Sequence, residues 1–248
     1  MRRYGPATSM TYSFGPGPIT PAVKAIIWAN IVFFIVSLFY SDIISYLGLT
    51  PEAVLEHGWI WQPATYMFLH AGAMHILFNM LGVWMFGVEL ERMWGTKFFA
   101  RYYAITGVGA GITAIVASLL PVDALQATYT LPTIGASGAL YGLLMAFAMY
   151  FPDRPILMFL LFPIPAKYFV MILGALAFMV APGSSVSNAA HLGGLAFGYV
   201  YLKSHQGGGG GSLMAEIKYR YLKWKMNRLR RKFDVYSGGK SSWDKNVH

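Results

Sequence analysis

Four polar residues stand inside apolar stretches of this sequence: His75, Asn79, Ser137 and His191. Ser137 lies in Ile134-Gly135-Ala136-Ser137-Gly138-Ala139-Leu140-Tyr141-Gly142, where a loop gives way to an apolar run ending near Tyr150. A serine at a helix N-terminus adjoins backbone N–H groups without intrahelical acceptors, and these can hold a developing oxyanion. A histidine can take the proton of a serine hydroxyl and later give it to a leaving amine. His191 sits in a different apolar segment, and His75 and Asn79 share one face of a third. Tyr141 follows Ser137 by one helical turn and can offer its ring as a platform for an imidazole. No acid is available to orient the histidine, so this chemistry is that of a dyad. Each residue also has a plainer reading. The glycines around Ser137 suit close helix packing, and Asn79 can hydrogen-bond a neighbouring helix for about 1 kcal/mol. His57, His70, His205 and His248 are read as satisfied interfacial histidines.

These residues need a membrane around them. The chain is 248 residues long, 56% hydrophobic and 12% charged, with mean hydropathy +0.49, whereas soluble domains carry about 25% charged residues. There is no cysteine, which excludes disulfides, thiolate chemistry and Cys-type zinc sites. No Asp or Glu is expected well inside a span, which removes an intramembrane aspartyl pair and weakens a proton-coupled transporter. No HExxH occurs, so a zinc protease lacks its ligands, and no metal or other cofactor is expected.

Six apolar segments are expected to position the site, at about Ala25–Tyr40, Met74–Leu90, Phe98–Leu120, Gly135–Tyr150, Lys167–Val180 and Asn188–Leu202. Residues 41–69 read as a long loop with a short helix at the membrane surface, Trp59 and Trp61 being suited to the interface. The fourth segment is shorter than the roughly 20 residues a bilayer requires. The loop before it therefore dips inward, with Ser137 at the floor of a cavity. Gly107 to Gly111 and Gly194/Gly198 supply small faces for tight packing. The run Ile156 to Phe162 is apolar but is broken by Pro163 and Pro165. Basic loops at Arg92/Lys97/Arg101 and Arg154, with the basic tail, put those ends and both termini in the cytoplasm. Residues 203–248 hold 11 Lys/Arg against 3 Asp/Glu, so that segment carries +8 of the net +9. The expected organisation is a flexible leader (1–22), a six-helix domain (23–203), a Gly-rich linker (204–212) and a basic amphipathic tail (213–248). Residues 213–233 read as a helix lying on anionic lipid of the cytoplasmic leaflet. One short helix makes few phosphate contacts, which argues against nucleic acid.

Three stretches together resemble the rhomboid family of intramembrane serine proteases. Gly135-Ala136-Ser137-Gly138 is similar to its nucleophile motif, His75-Ile76-Leu77-Phe78-Asn79 to its HxxxN motif, and Ala190-His191-Leu192-Gly193-Gly194 to its AHxxG motif. The resemblance covers about residues 59–203. It implies an all-α membrane protein, a six-transmembrane-helix bundle with a short fourth helix like the basic bacterial form, and the expected location is the cell (inner) membrane. It implies Ser137 as nucleophile, His191 as general base, and an oxyanion hole of His75, Asn79 and the Ser137 N–H. It further implies that Tyr141 stacks on His191 and that Gly135 lets the loop approach substrate. The fifth helix and a loop over the site would gate entry, with Phe78 near the gate. Substrates would be membrane proteins with small or helix-breaking residues near the cleaved bond. Where some members carry Trp-Arg, this chain has Trp61-Gln62, which puts at issue how the first outer loop is anchored. The alternatives are a non-proteolytic relative that binds or dislocates membrane proteins, and a small transporter.

Overall fold

The computed structural model describes residues 16–158, 162–179, 185–206 and 221–226. The chain divides into two compact units, Met1–Tyr201 and Leu202–His248. In chain order the first unit contains α1 (Pro21–Phe39), α2 (Asp42–Leu47), α3 (Pro51–Glu56) and α4 (Gln62–Thr65), then a 3-10 turn (Tyr66–Phe68). Next come α5 (Ala73–Trp94), α6 (Thr96–Ser118), α7 (Asp123–Gln126) and α8 (Ser137–Tyr150). A hairpin of β1 (Pro155–Met158) and β2 (Phe162–Pro165) follows, then α9 (Ala166–Met179) and α10 (Ser185–Gln206), the last five residues of which belong to the second unit. In the second unit a helical turn covers 221–226, where the rings of Tyr221 and Trp224 lie 6.1 Å apart. Most of the expected leader, linker and tail fall outside the described residues.

Among the described residues, α1, α5 and α6 are long and apolar enough to cross a membrane, while α8 and α9 are shorter apolar helices. At 14 residues α8 is about 21 Å long, against a hydrocarbon core about 30 Å thick. It packs on α6, α5 and α9 and forms the centre of the unit. Small residues let it in. A Cβ on Gly142 would stand 2.5 Å from Thr106 Cβ, and Tyr102 Oη donates to the Gly142 carbonyl at 2.6 Å.

Glu91 stands in the last turn of α5, at the end of the span, but is buried there, 3% exposed. Its carboxylate accepts from Thr20 Oγ1 at 2.5 Å, from the Ala22 and Val23 N–H groups at 2.9 and 3.0 Å, and from Thr96 Oγ1 at 2.8 Å. Pro21 opens α1 with no N–H of its own, so one carboxylate satisfies the next two donors of α1 and clamps it to α5 and α6. The α5 helix itself runs four residues beyond Leu90.

Residues 41–69 hold three short helices and a 3-10 turn, where one short helix was expected. Gln62 anchors them. It is fully buried, accepts from the Thr50 N–H at 3.0 Å, and donates to the Ser45 and Tyr46 carbonyls at 3.3 Å each. Trp61 Nε1 also donates to the Tyr46 carbonyl at 3.0 Å. A carboxamide both donates and accepts, so a glutamine ties this loop through groups of opposite kind. The loop is joined to the segment ahead of α8 by a bridge between Leu49 and Thr133, with hydrogen bonds of 2.9 and 2.8 Å.

Replacing Glu91 with alanine strands two buried N–H groups and should cost about 2–4 kcal/mol. Thermal unfolding in detergent should show a clearly lowered Tm for Glu91→Ala, with a smaller loss for Glu91→Gln. An unchanged Tm would show that the clamp contributes nothing.

Candidate active site

The chain turns into α8 at Ser137 because of the two residues before it. Gly135 has φ +125°, a conformation L side chains rarely adopt, and its N–H donates to the Tyr66 carbonyl at 3.0 Å. Ala136 is back in the right-handed helical region, and Ser137 is the first residue of the helix. The hydroxyl therefore starts from the same point of the chain as the first-turn N–H groups of α8. A Cβ on residue 135 would stand 2.8 Å from His75 Nε2 and 3.8 Å from Ser137 Oγ. Glycine leaves that space open between imidazole and hydroxyl.

His191 enters from α10, and its Nε2 lies 2.8 Å from Ser137 Oγ. Its ring stacks on Tyr141 with centroids 4.2 Å apart and planes 4° apart. Ser137 and Tyr141 are four residues apart on α8, so one helix face carries both the hydroxyl and the platform. Stacking fixes the imidazole plane, a task an aspartate performs in Ser-His-Asp arrangements. The approach of α10 to α8 depends on glycine. A Cβ on Gly194 would collide with the Gly138 carbonyl oxygen, and one on Gly198 would stand 3.2 Å from Gly142 Cα.

His75 and Asn79 project from α5. The Ala71 N–H donates to His75 Nδ1 at 3.4 Å. With Nδ1 accepting, Nε2 carries the proton and is a donor toward the space over Gly135. Asn79 is 5% exposed and donates from Nδ2 to the His75 carbonyl at 2.9 Å, and the same nitrogen carries a second N–H. Phe78 is 61% exposed on the outer surface of α5. The geometry thus gathers Ser137, His191, Tyr141, Gly135 and His75, with Asn79 one turn further along α5.

Two residues beside this cluster escaped the sequence reading. His70, read as interfacial, is buried within the protein. It is 2% exposed, and its ring meets that of His75 edge to face at 4.9 Å. Its only sequence signal is its place five residues before His75. Tyr66 lies 1% exposed beneath the loop, donates from its hydroxyl to the Gly107 carbonyl at 2.8 Å, and has no periodic signature at all.

A family model described as a rhomboid domain matches residues 57–204, which span every residue of the cluster. The chain belongs to the rhomboid family. Together with its long apolar helices, this makes it a multi-pass membrane protein. It is 28% identical over 188 residues to the rhomboid protease GlpG of Haemophilus influenzae, covering 75% of this chain and 89% of that protein. To the rhomboid protease GluP of Bacillus subtilis it is 32% identical over 152 residues, and to mitochondrial rhomboid protein 1 of Saccharomyces cerevisiae 35% over 138. These matches take in 61% and 54% of this rhomboid but only 27% and 38% of those two longer proteins.

Burial lowers the His70 pKa to about 4, with the charge of His75 adding to the shift and the Phe68 carbonyl opposing it. An unfolded histidine titrates near 6.5, so the unfolded chain takes up this proton first on acidification. The stability tied to neutral His70 is complete above about pH 6.5 and is lost as pH falls toward 4. His70→Phe should therefore flatten the fall in Tm between about pH 7 and about pH 5. Equal slopes for the variant and the wild type would contradict this.

Proposed function

We propose that this rhomboid is an intramembrane serine endopeptidase that hydrolyses peptide bonds in or near the transmembrane segments of membrane proteins. The observation that carries the reading is the 2.8 Å contact between Ser137 Oγ and His191 Nε2, with the imidazole held flat on Tyr141. In this mechanism Ser137 Oγ attacks the carbonyl carbon while His191 Nε2 takes its proton. The carbonyl oxygen becomes an oxyanion and receives hydrogen bonds from His75 Nε2, Asn79 Nδ2 and the Ser137 N–H. The C–N bond then breaks, and the imidazolium returns the proton to the leaving amine. Water, deprotonated by His191, attacks the acyl carbon; the C–O bond to Ser137 then breaks, the imidazolium returns the proton to Ser137 Oγ, and the new carboxyl terminus is released.

A helical substrate must open locally, because peptide bonds inside a helix are hydrogen-bonded and shielded. This favours substrates with small or helix-breaking residues near the scissile bond. Gate opening is assigned to α9 and the loop over the site, with Phe78 at the edge of α5. In this reading the protein lies in the inner membrane with both termini cytoplasmic, and residues 213–233 rest on anionic lipid.

The wild type should react with a fluorophosphonate at Ser137, and Ser137→Ala and His191→Ala should each abolish labelling. Asn79→Ala should lower kcat on a transmembrane substrate by about 10- to 1000-fold with little change in KM, the signature of a lost transition-state donor. A folded wild-type protein that neither labels nor cleaves would leave the non-proteolytic binding role instead.

A further inference from the structure

The hairpin between α8 and α9 lies at the end of the bundle away from Ser137. Its register pairs Pro155 with Pro165, Ile156 with Ile164, Leu157 with Pro163 and Met158 with Phe162. These eight residues include no polar side chain. An antiparallel pair with one face on protein and one in water alternates apolar and polar residues, and this one does not. Ile156, 7% exposed, packs inward. Pro155 and Pro163 on the opposite face are exposed, and Phe162 is 60% exposed.

The backbone follows the same logic. The Ala166 N–H donates to the Arg154 carbonyl at 2.9 Å, which makes 154/166 a hydrogen-bonded pair. By alternation the next such pairs are Ile156/Ile164 and Met158/Phe162. The residues whose N–H groups would point outward are then Pro155, Leu157, Pro163 and Pro165, and only Leu157 has one. Unpaired N–H and C=O groups both make an open strand edge costly in lipid; proline has removed three of the four outward N–H groups here, and the four outward carbonyls still need water or headgroup donors. Proline also blocks strand addition by a peptide, so the edges are closed to that kind of partner.

Charged groups collar the base. Arg154 pairs with Glu89 and lies over the Phe151 ring at 5.3 Å, and Lys167 Nζ pairs with Asp153 at 2.7 Å. Directly after β2, α9 continues the apolar surface with Tyr168, Met171 and Leu176, which are 50%, 67% and 49% exposed. The exposed hairpin surface is thus continuous with the lipid-facing surface of a neighbouring helix.

We propose that this hairpin is an in-plane lipid anchor. Its apolar side chains enter the headgroup/acyl boundary of the leaflet at the α8 C-terminal end, where the outward carbonyls still meet water or headgroups, and the Arg154/Lys167 collar sits at headgroup level. Since α9 begins at Ala166, immediately after β2, the anchor holds that end of α9 as a pivot and leaves the end nearer Ser137 to move. The lipid contact does not depend on the proteolytic reading.

The chain has no native cysteine, so a single one can carry a probe. The full-length F162C variant is labelled with the fluorophore NBD and reconstituted into phosphatidylethanolamine/phosphatidylglycerol vesicles, with D153C as the reference at the base. Acyl-chain nitroxide lipids should quench the F162C label at least about threefold more than the D153C label, and aqueous iodide should do the reverse, as for side chains in the headgroup/acyl boundary. P163C, on the other face, should behave like F162C and serves if F162C fails to insert. Iodide quenching of the F162C and P163C labels equal to that of D153C, with no nitroxide effect, would overturn the anchor. Fluorophosphonate labelling of Ser137 in the same samples reports on the proteolytic reading separately.

Discussion

The arrangement depends on how closely α8 and α10 approach. Gly194 lies against the Gly138 carbonyl and Gly198 against Gly142, distances at which no side chain fits between the helices. In a bilayer, apolar side chains gain little by leaving lipid for one another. Helices there are held by van der Waals contact between close backbones and by a few hydrogen bonds. Gly142 serves both sides of α8, meeting Gly198 on one and Thr106 on the other. The Tyr102 hydroxyl, bonded to the Gly142 carbonyl, locks the three helices at one level. The 2.8 Å contact between His191 and Ser137 is a consequence of that level.

A second constraint comes from the shortness of α8. Irregular backbone ahead of Ser137 is tolerated at depth only where protein satisfies it. Tyr66 takes the Gly135 N–H, Leu49 exchanges hydrogen bonds with Thr133, and Gln62 pins the loop that carries Leu49. The first loop thus supports the segment from which the serine emerges. At the other end of the bundle Glu91 fixes the start of α1 to α5 and α6.

Much of the site's layout could be read in the sequence, because polar residues inside apolar spans are few and helical spacing sets their faces. His75 with Asn79 and Ser137 with Tyr141 are both four-residue separations, and a rigid helix carries each pair into one place. The family was likewise legible in three short motifs. Residues whose role rests on long-range partners were not. The clamp at Glu91 was not legible because its donors lie up to 71 residues away. His70 looked interfacial because nothing local shows that His75 will cover it. The strands at 155–165 were hidden by prolines, which usually argue against sheet but here occupy only the outward-pointing N–H positions.

The most direct test of the account is the Gly194→Val variant, reconstituted in vesicles and checked for wild-type helical content by circular dichroism. A valine Cβ cannot coexist with the Gly138 carbonyl, so α10 must withdraw and His191 must leave Ser137. The account predicts that fluorophosphonate labelling of Ser137 falls by at least about 100-fold, the order expected when a nucleophile loses its base. Labelling at the wild-type rate in an inserted, helical Gly194→Val protein would contradict it.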